Sequence, residues 1–180
     1  MTPADEHLAS YAQALERGWS ADNTRPEAGR EELARIAADP AAFLASLTDL
    51  EGMGPPVRLP DGTTVPRLPG YRKWMWDGEF CGSIGFRWQN GTAELPPYCL
   101  GHIGFAVVPW KRRLGYASRA LALLLPDAKA RGLAYVELTT DTDNIASQRT
   151  IQANGGQLVE QFTKAAAYGG TEGLRFRIYF

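Results

Sequence analysis

Apolar residues recur at helical spacing near the start of the chain. Leu8, Tyr11, Ala12 and Leu15 share one face of residues 4–17, and Gly18 follows where a helix would stop. A second helical pattern runs from about Pro26 through Leu33, Ile36 and Ala37, breaks at Asp39-Pro40, and resumes with Phe43, Leu44 and Leu47. Residues 52–70 hold five of the twelve prolines and several glycines, which excludes continuous helix or a central strand. They predict a long surface connection with a hairpin turn at Asp61-Gly62. From Tyr71 the period changes to two, and residues 71–76 and 80–88, joined at Asp77-Gly78, predict a β-hairpin. After Pro96-Pro97, residues 101–108 predict a strand closed by Pro109. Residues 115–131 predict a helix that Pro126 should kink or restart. A strand over 134–140, a helix over 144–152 with Asn154-Gly155 as its cap, and strands over 157–162 and 174–180 complete the pattern.

This order gives a mixed α/β layout: a central, mostly antiparallel sheet containing a parallel, right-handed β-α-β unit and flanked by helices. At 180 residues with 44% hydrophobic content, the chain suits one domain over residues 1–180. Its parts are N-terminal helices over 1–50, the 52–70 connection and a core over 71–180. About 70% of the unfolded surface of such a chain is buried on folding, so no disulfide or structural metal is needed. Nineteen Lys+Arg against twenty Asp+Glu give a net charge of -1, which disfavours nucleic acid as a partner. The apolar runs, such as Leu121 to Leu125, are too short to cross a bilayer, and the polar first residues do not read as a signal peptide. We expect a cytoplasmic protein with no membrane association. Cys81 and Cys99, with only His7 and His102 as imidazoles, complete no metal site.

The chemistry concentrates in Val107 to Arg119, between a strand and a helix. Backbone N–H groups at the positive end of a helix bind phosphate or pyrophosphate, and Gly115 and Ala117 leave room for an anion to approach. Lys111, Arg112, Arg113 and Arg119 fall inside a window, Leu95 to Pro126, that contains no Asp or Glu. The local field is therefore positive although the whole chain is nearly neutral. The alternative is an ordinary basic turn before a surface helix.

Arg112-Arg113-Leu114-Gly115-Tyr116-Ala117, preceded by a strand ending Val107-Val108-Pro109 and followed by a long helix, resembles the Arg/Gln-x-x-Gly-x-Gly/Ala loop of the GCN5-related N-acetyltransferase (GNAT) superfamily. Gly132 to Leu138, then Asp143-Asn144-Ile145-Ala146-Ser147 and Asn154-Gly155-Gly156, resembles the family's next strand and helix. The likeness covers about residues 71–180 and is nearest to a bacterial branch whose strand reads Gly-His-Ile-Gly-aromatic. Residues 1–50 share only helical character with it. The resemblance implies acetyl-CoA as cosubstrate, with no metal. Its pyrophosphate would lie on the amides of Arg113, Leu114, Gly115, Tyr116 and Ala117, assisted by the side chains of Arg112 and Ser118. The pantetheine arm would pair with backbone groups of Phe105, Ala106 and Val107, and Asn144 would bond to it, though Asn144 equally suits a helix cap.

Direct acetyl transfer needs a neutral amine, whose ordinary pKa of about 10.4 calls for a base. An amide near Ala106 or Val107 would polarise the thioester carbonyl. His102 is the suitable base by type, with a core histidine as its alternative, and Glu94 is the carboxylate candidate. Glu79 and Glu137 compete, the latter expected to point outward beside Tyr135 and Thr139. Where many members of the family carry a tyrosine acid, seven residues after the position of Asn144, this chain has Ile151, so no general acid is named. Trp74, Trp76, Arg87, Trp88 and Trp110 are candidates for the acceptor side. An arginine among aromatic walls would suit a small-molecule amine bearing a carboxylate or phosphate, while the aromatics alone equally suit cross-strand core pairs. The 52–70 connection is a candidate lid.

These readings converge on an N-acetyltransferase acting on a primary amine. The rival is a non-catalytic acyl-CoA sensor or interaction module. A nucleotide-phosphate binder is weaker, since neither Gly-Lys-Ser/Thr nor Gly-x-Gly-x-x-Gly occurs. Residues 175–180 are a candidate edge strand for a homodimer, with a place inside the sheet as the alternative.

Overall fold

The computed structural model describes residues 1–25 and 27–180; Pro26, the expected start of the second helix, lies outside the described residues. Three helices open the chain: α1 (Asp5–Glu16), α2 (Ala28–Ala38) and α3 (Pro40–Ala45). The break between α2 and α3 falls at Asp39-Pro40. Pro40 cannot continue α2, and Asp39 caps α3 by accepting the Ala42 N–H on Oδ1 at 2.9 Å. The 52–70 connection carries a two-residue strand pair, β2 (Val57–Arg58) with β3 (Thr64–Val65), turned at Gly62.

A four-stranded antiparallel sheet runs in the order β1 (Thr48–Asp49), β4 (Gly70–Trp76), β5 (Phe80–Arg87), β6 (Ile103–Val107). Alternation assigns its two faces. Trp74, Phe80 and Val108 pack under α1–α3 with Tyr11, Leu15 and Phe43. Met75, Ile84, Phe86 and Ile103 face the other way, onto Leu121 and Leu124 of α4 (Tyr116–Ala130). The structure shows α4 as one helix. Pro126 interrupts it neither by a stop nor by a restart, the lost bond to Ala122 being offset by the burial of Leu121, Leu124 and Ala128. A second, three-stranded antiparallel sheet follows: β7 (Tyr135–Asp141), β9 (Glu172–Tyr179), β8 (Gln157–Thr163), with α5 (Ile145–Ala153) between β7 and β8. The terminal strand β9 therefore lies inside its sheet, bonded on both sides, and is not an edge.

The chain is thus mixed α/β with antiparallel sheets and flanking helices, as the periodicities predict. The expected single sheet is divided between β6 and β7. These strands, joined through α4, meet at one point: the His102 N–H donates to the Glu137 carbonyl at 2.8 Å, and the Glu137 N–H donates to His102 Nδ1 at 2.9 Å. No pairing between them continues beyond that point among the described residues.

Candidate functional site

Beyond the His102–Glu137 junction, one edge of β6 is left open. Arg87 N–H donates to the His102 carbonyl and Val108 N–H to the Cys81 carbonyl, so the backbone groups of alternate residues, including Ala106, turn toward β5. Those of Phe105 and Val107 turn the other way, toward the gap. One of them is already engaged by a side chain: Arg112 Nε donates to the Val107 carbonyl at 3.4 Å. Of the three strand residues expected to offer backbone groups, the structure brings Phe105 and Val107 to the open edge, whereas the amide and carbonyl of Ala106 are spent on the sheet.

The segment after β6 leaves a run of backbone N–H groups unbonded. Residues Pro109–Lys111 make one tight turn, Arg113 (φ 63°) and Gly115 (φ 80°) both adopt left-handed backbone, and α4 begins at Tyr116. Alternating left-handed residues point successive N–H groups to one side, forming a concave cradle. The N–H groups of Arg113, Leu114, Gly115, Tyr116, Ala117 and Ser118 have no acceptor among the described residues; the first of the series to find one is Arg119, bonded to the Gly115 carbonyl. A Cβ at Gly115 would meet nothing within 4 Å, so the cradle is open above it. Arg112, Arg113 and Arg119 form no ion pair among the described residues, while Lys111 is neutralised by Asp77 (2.9 Å) and Glu79 (2.7 Å).

Asp77 does more than turn the hairpin. Its carboxylate also accepts the Tyr116 hydroxyl, so it grips Lys111, just ahead of the cradle, and Tyr116 within it. The hydrogen bonds from Tyr116 and Lys111 hold the Asp77 carboxyl well below the usual carboxylate range, and the same bond pushes the Tyr116 phenol up to about 12. No periodicity marks an acid thirty-odd residues upstream as part of this loop, and only its hairpin-turn character is visible in the sequence. The Tyr116 side chain points to the hairpin, leaving its N–H in the cradle. Ser118 Oγ accepts from Asn154 Nδ2 at 3.0 Å, tying α4 to the end of α5. Asn144 caps α5, its Oδ1 accepting the Ser147 N–H at 3.1 Å.

The acid–base candidates are dispersed. His102 is fully buried (0% exposed), and desolvation, with the nearby Arg87 charge, pushes its pKa down to about 4. Because Nδ1 accepts the Glu137 N–H, the neutral ring carries its proton on Nε2, and neither nitrogen has a lone pair free to take another. Nε2 finds no partner among the described residues. Glu94 is exposed on the loop that follows Asn90-Gly91; the neighbouring residues 88–93 line a hollow of about 580 Å3 with Ala130 to Ala134, at the far end of α4 from the cradle. Glu137 does not point outward as expected. It is 8% exposed and paired with Arg177 (2.9 Å) and Arg175 (3.9 Å) from β9. Ile151 is 1% exposed in the core, where a tyrosine side chain would not fit unchanged.

On the hairpin, Trp74 (1% exposed) and Trp88 (4%) are core residues, and Trp76 packs edge-on against His7. Trp110, beside the cradle, is covered by the Arg17 guanidinium 3.5 Å from its ring centre, which links the end of α1 to the loop. Of the expected acceptor-side group, the structure leaves Arg87 polar and within reach. The described residues include no helix long and apolar enough to cross a membrane and no cluster of three or more His, Cys, Asp or Glu placed to hold a metal.

Residues 45–155 match the model of the acetyltransferase (GNAT) family. No curated protein matches the chain. Among solved structures, the microcin C7 self-immunity acetyltransferase MccE in complex with acetyl-CoA and AMP is 10% identical with a TM-score of 0.65, covering 100% of this chain and 91% of that one. RimL, a ribosomal L7/L12 α-N-protein acetyltransferase in complex with coenzyme A, is 14% identical with a TM-score of 0.61, covering 99% and 92%. At these identities the likeness is one of fold.

Proposed function

The chain belongs to the acetyltransferase (GNAT) family, and we propose that it transfers the acetyl group of acetyl-CoA to a primary amine of a small acceptor. The observation that carries the reading is the cradle of six unbonded amides, Arg113 to Ser118, standing beside the open edge of β6. A pyrophosphate on those amides would add charge-assisted hydrogen bonds where the α4 dipole and Arg112, Arg113 and Arg119 already favour negative charge. The extended pantetheine arm would then run into the gap between β6 and β7, taking up backbone groups of Phe105 and Val107 as an added strand does.

Acetyl-CoA supplies an activated thioester; the residues of this chain orient it. The Phe105 or Val107 N–H is placed to polarise the carbonyl as the attacking amine adds. Asn144, three residues beyond β7, is assigned to the arm on the family resemblance, in addition to its capping role. His102 is assigned a positioning role: its ring pins β6 to β7 at the apex of the gap and so sets where the strands part. With His102 engaged and Glu94 remote, the amine proton leaves to water in the gap, and the CoA thiolate departs without a protein acid.

Thermal unfolding with and without about 1 mM acetyl-CoA tests this. If acetyl-CoA binds near 10 μM, it contributes about 2.7 kcal/mol, a midpoint rise of roughly 5 to 11 °C for a chain of this size. Gly115→Glu, which sets a carboxylate in the cradle and forces a side chain into left-handed backbone, should abolish the rise. No rise with acetyl-CoA, or a larger one with ATP, overturns the reading. A rise without CoA release on any amine favours the acyl-CoA sensor, which the burial of Ile151 in place of a tyrosine supports.

A further inference from the structure

The two faces of β6 are not equally covered. Phe105 and Val107 pack toward the core on the α4 side. On the opposite face α1–α3 cover Trp74, Phe80 and Val108, while of the neighbouring glycines Gly85 of β5 is half-buried and Gly104 of β6 exposed. These two are register partners, and Gly104 is exposed although it lies within a strand paired to β5. Glycine in a strand gives up packing and backbone order, and what it leaves here is a trench in the floor of the sheet directly beside the open edge of β6.

Arg87 reaches across that trench. A Cβ built on Gly85 or on Gly104 would meet Arg87 Nη2 at 3.6 Å in either case, so the guanidinium lies over the glycine pair, and side chains at those positions would crowd it. Among the described residues its only side-chain hydrogen bond is Nη1 to the Gly101 carbonyl at 3.2 Å. It has no carboxylate partner among the described residues, and Nε and Nη2, which are unbonded there, are not sealed from solvent. By contrast Arg72, two register positions along on the same face, is locked to Glu32 at 2.8 Å and to the Tyr11 hydroxyl. A half-buried guanidinium with four donors to spare over a floor of two glycines is an anion subsite.

We infer that Arg87, over the Gly85–Gly104 floor, binds the carboxylate or phosphate of the acceptor, so that the substrate is a small primary amine carrying an anionic group a few bonds from its nitrogen. The inference rests on the acetyltransferase reading, because the distance argument uses the donor position. With the thioester beside Phe105 to Val107, an amine attacking there lies one to three strand residues from Gly104, about 3 to 10 Å. That span fits an amino acid or an aminoalkyl phosphate. A protein N-terminus presents no such anion, and Arg87 would then be indifferent to the acceptor.

The experiment compares wild type with Arg87→Gln and Arg87→Lys. CoA release is measured with the common L-amino acids against their carboxamides, and with O-phosphoethanolamine against ethanolamine; the two pairings separate a carboxylate from a phosphate. Wild type should prefer the anionic member of at least one pairing by about 10- to 100-fold in kcat/KM, the range expected for a charge-assisted bidentate contact. Arg87→Gln should bring that ratio near one, chiefly through KM, leaving the neutral members and the acetyl-CoA thermal shift unchanged, and Arg87→Lys should recover part of it. A second readout needs no turnover: N-acetylated amino acids and N-acetyl-phosphoethanolamine should stabilise wild type more than their neutral counterparts, and Arg87→Gln should erase the difference. Equal use of anionic and neutral amines, turnover confined to peptides with free N-termini, or an anion preference that survives Arg87→Gln would overturn the inference. Loss of the acetyl-CoA shift in wild type would instead strike the donor reading, and the product-binding arm would still decide the anion subsite.

Discussion

His102→Asn separates a positioning histidine from a catalytic base. In the native protein the ring is fully buried with Nδ1 holding the Glu137 N–H, and its pKa is pushed down to about 4 from an ordinary 6.5. Asparagine offers Oδ1 to the same N–H but fills less space, so at pH 8 the variant should be less stable by about 1 to 2 kcal/mol. The pH dependence carries the test. Above about pH 6.5 the histidine is neutral in both folded and unfolded chains and contributes no slope. As pH falls from 6.5 to 4 the unfolded chain binds a proton that the native state refuses, so stability is lost through that window, in total about 3 kcal/mol. The variant has no such group, and carboxylate titrations common to both proteins cancel in the difference. Urea unfolding at half-unit steps from pH 8 to pH 4 should therefore show two curves that converge and cross, with the wild type the more stable above and the less stable below. Parallel curves would refute the assignment of a buried, neutral ring. So would a pH–rate profile whose limb near pH 6.5 disappears in the variant, because that limb would mean His102 exchanges protons with the acceptor.

Three further outcomes follow from the geometry. Asp77→Asn removes the charge that grips Lys111 ahead of the cradle and Tyr116 within it, and isothermal titration should show acetyl-CoA binding weakened about 3- to 10-fold while far-UV circular dichroism is unchanged. Ile151→Tyr, which restores the residue type many members of the family carry, should lower stability by about 1 to 3 kcal/mol in chemical denaturation and not raise the rate of CoA release. The site is a filled core position against which Gly156 already packs closely. Glu32→Ala leaves Arg72 and Tyr11 without their shared carboxylate between α1, α2 and β4, and should cost about 2 to 3 kcal/mol in the same assay.

Much of the architecture is legible in the one-dimensional pattern because helices and strands report their buried faces locally. The break at Asp39-Pro40, the Asp77-Gly78 hairpin, the cap at Gly155 and the order of elements from β4 to β9 are all consequences of side-chain periodicity and of residues with restricted backbone. The cradle is legible for the same reason: a small residue before a helix, in a window without acids, is a local feature. Pro126 does not restart the helix because its local penalty is set against burial of a helix face, a quantity that depends on the sheet beneath it.

The chemistry of single side chains depends on partners distant in the chain, and there only the tertiary structure decides. His102 and Glu137 lie 35 residues apart, and nothing in either segment shows that the imidazole accepts an amide from the next strand instead of facing a substrate. Glu137 looks like an outward residue until β9, 40 residues later, brings Arg177 beside it. Asp77 becomes part of the cradle only when the hairpin folds against the start of α4. Arg87 stands apart from the tryptophans of its hairpin only when α1–α3 cover one part of the sheet and leave the Gly85–Gly104 pair open. The sequence by itself determined the order of the main helices and strands and where a basic loop meets the start of a helix, because those depend on neighbours within a few residues. Which groups are buried, neutral, paired or free was decided by long-range packing, since desolvation and ion pairing are set by whatever the fold places within a few ångströms.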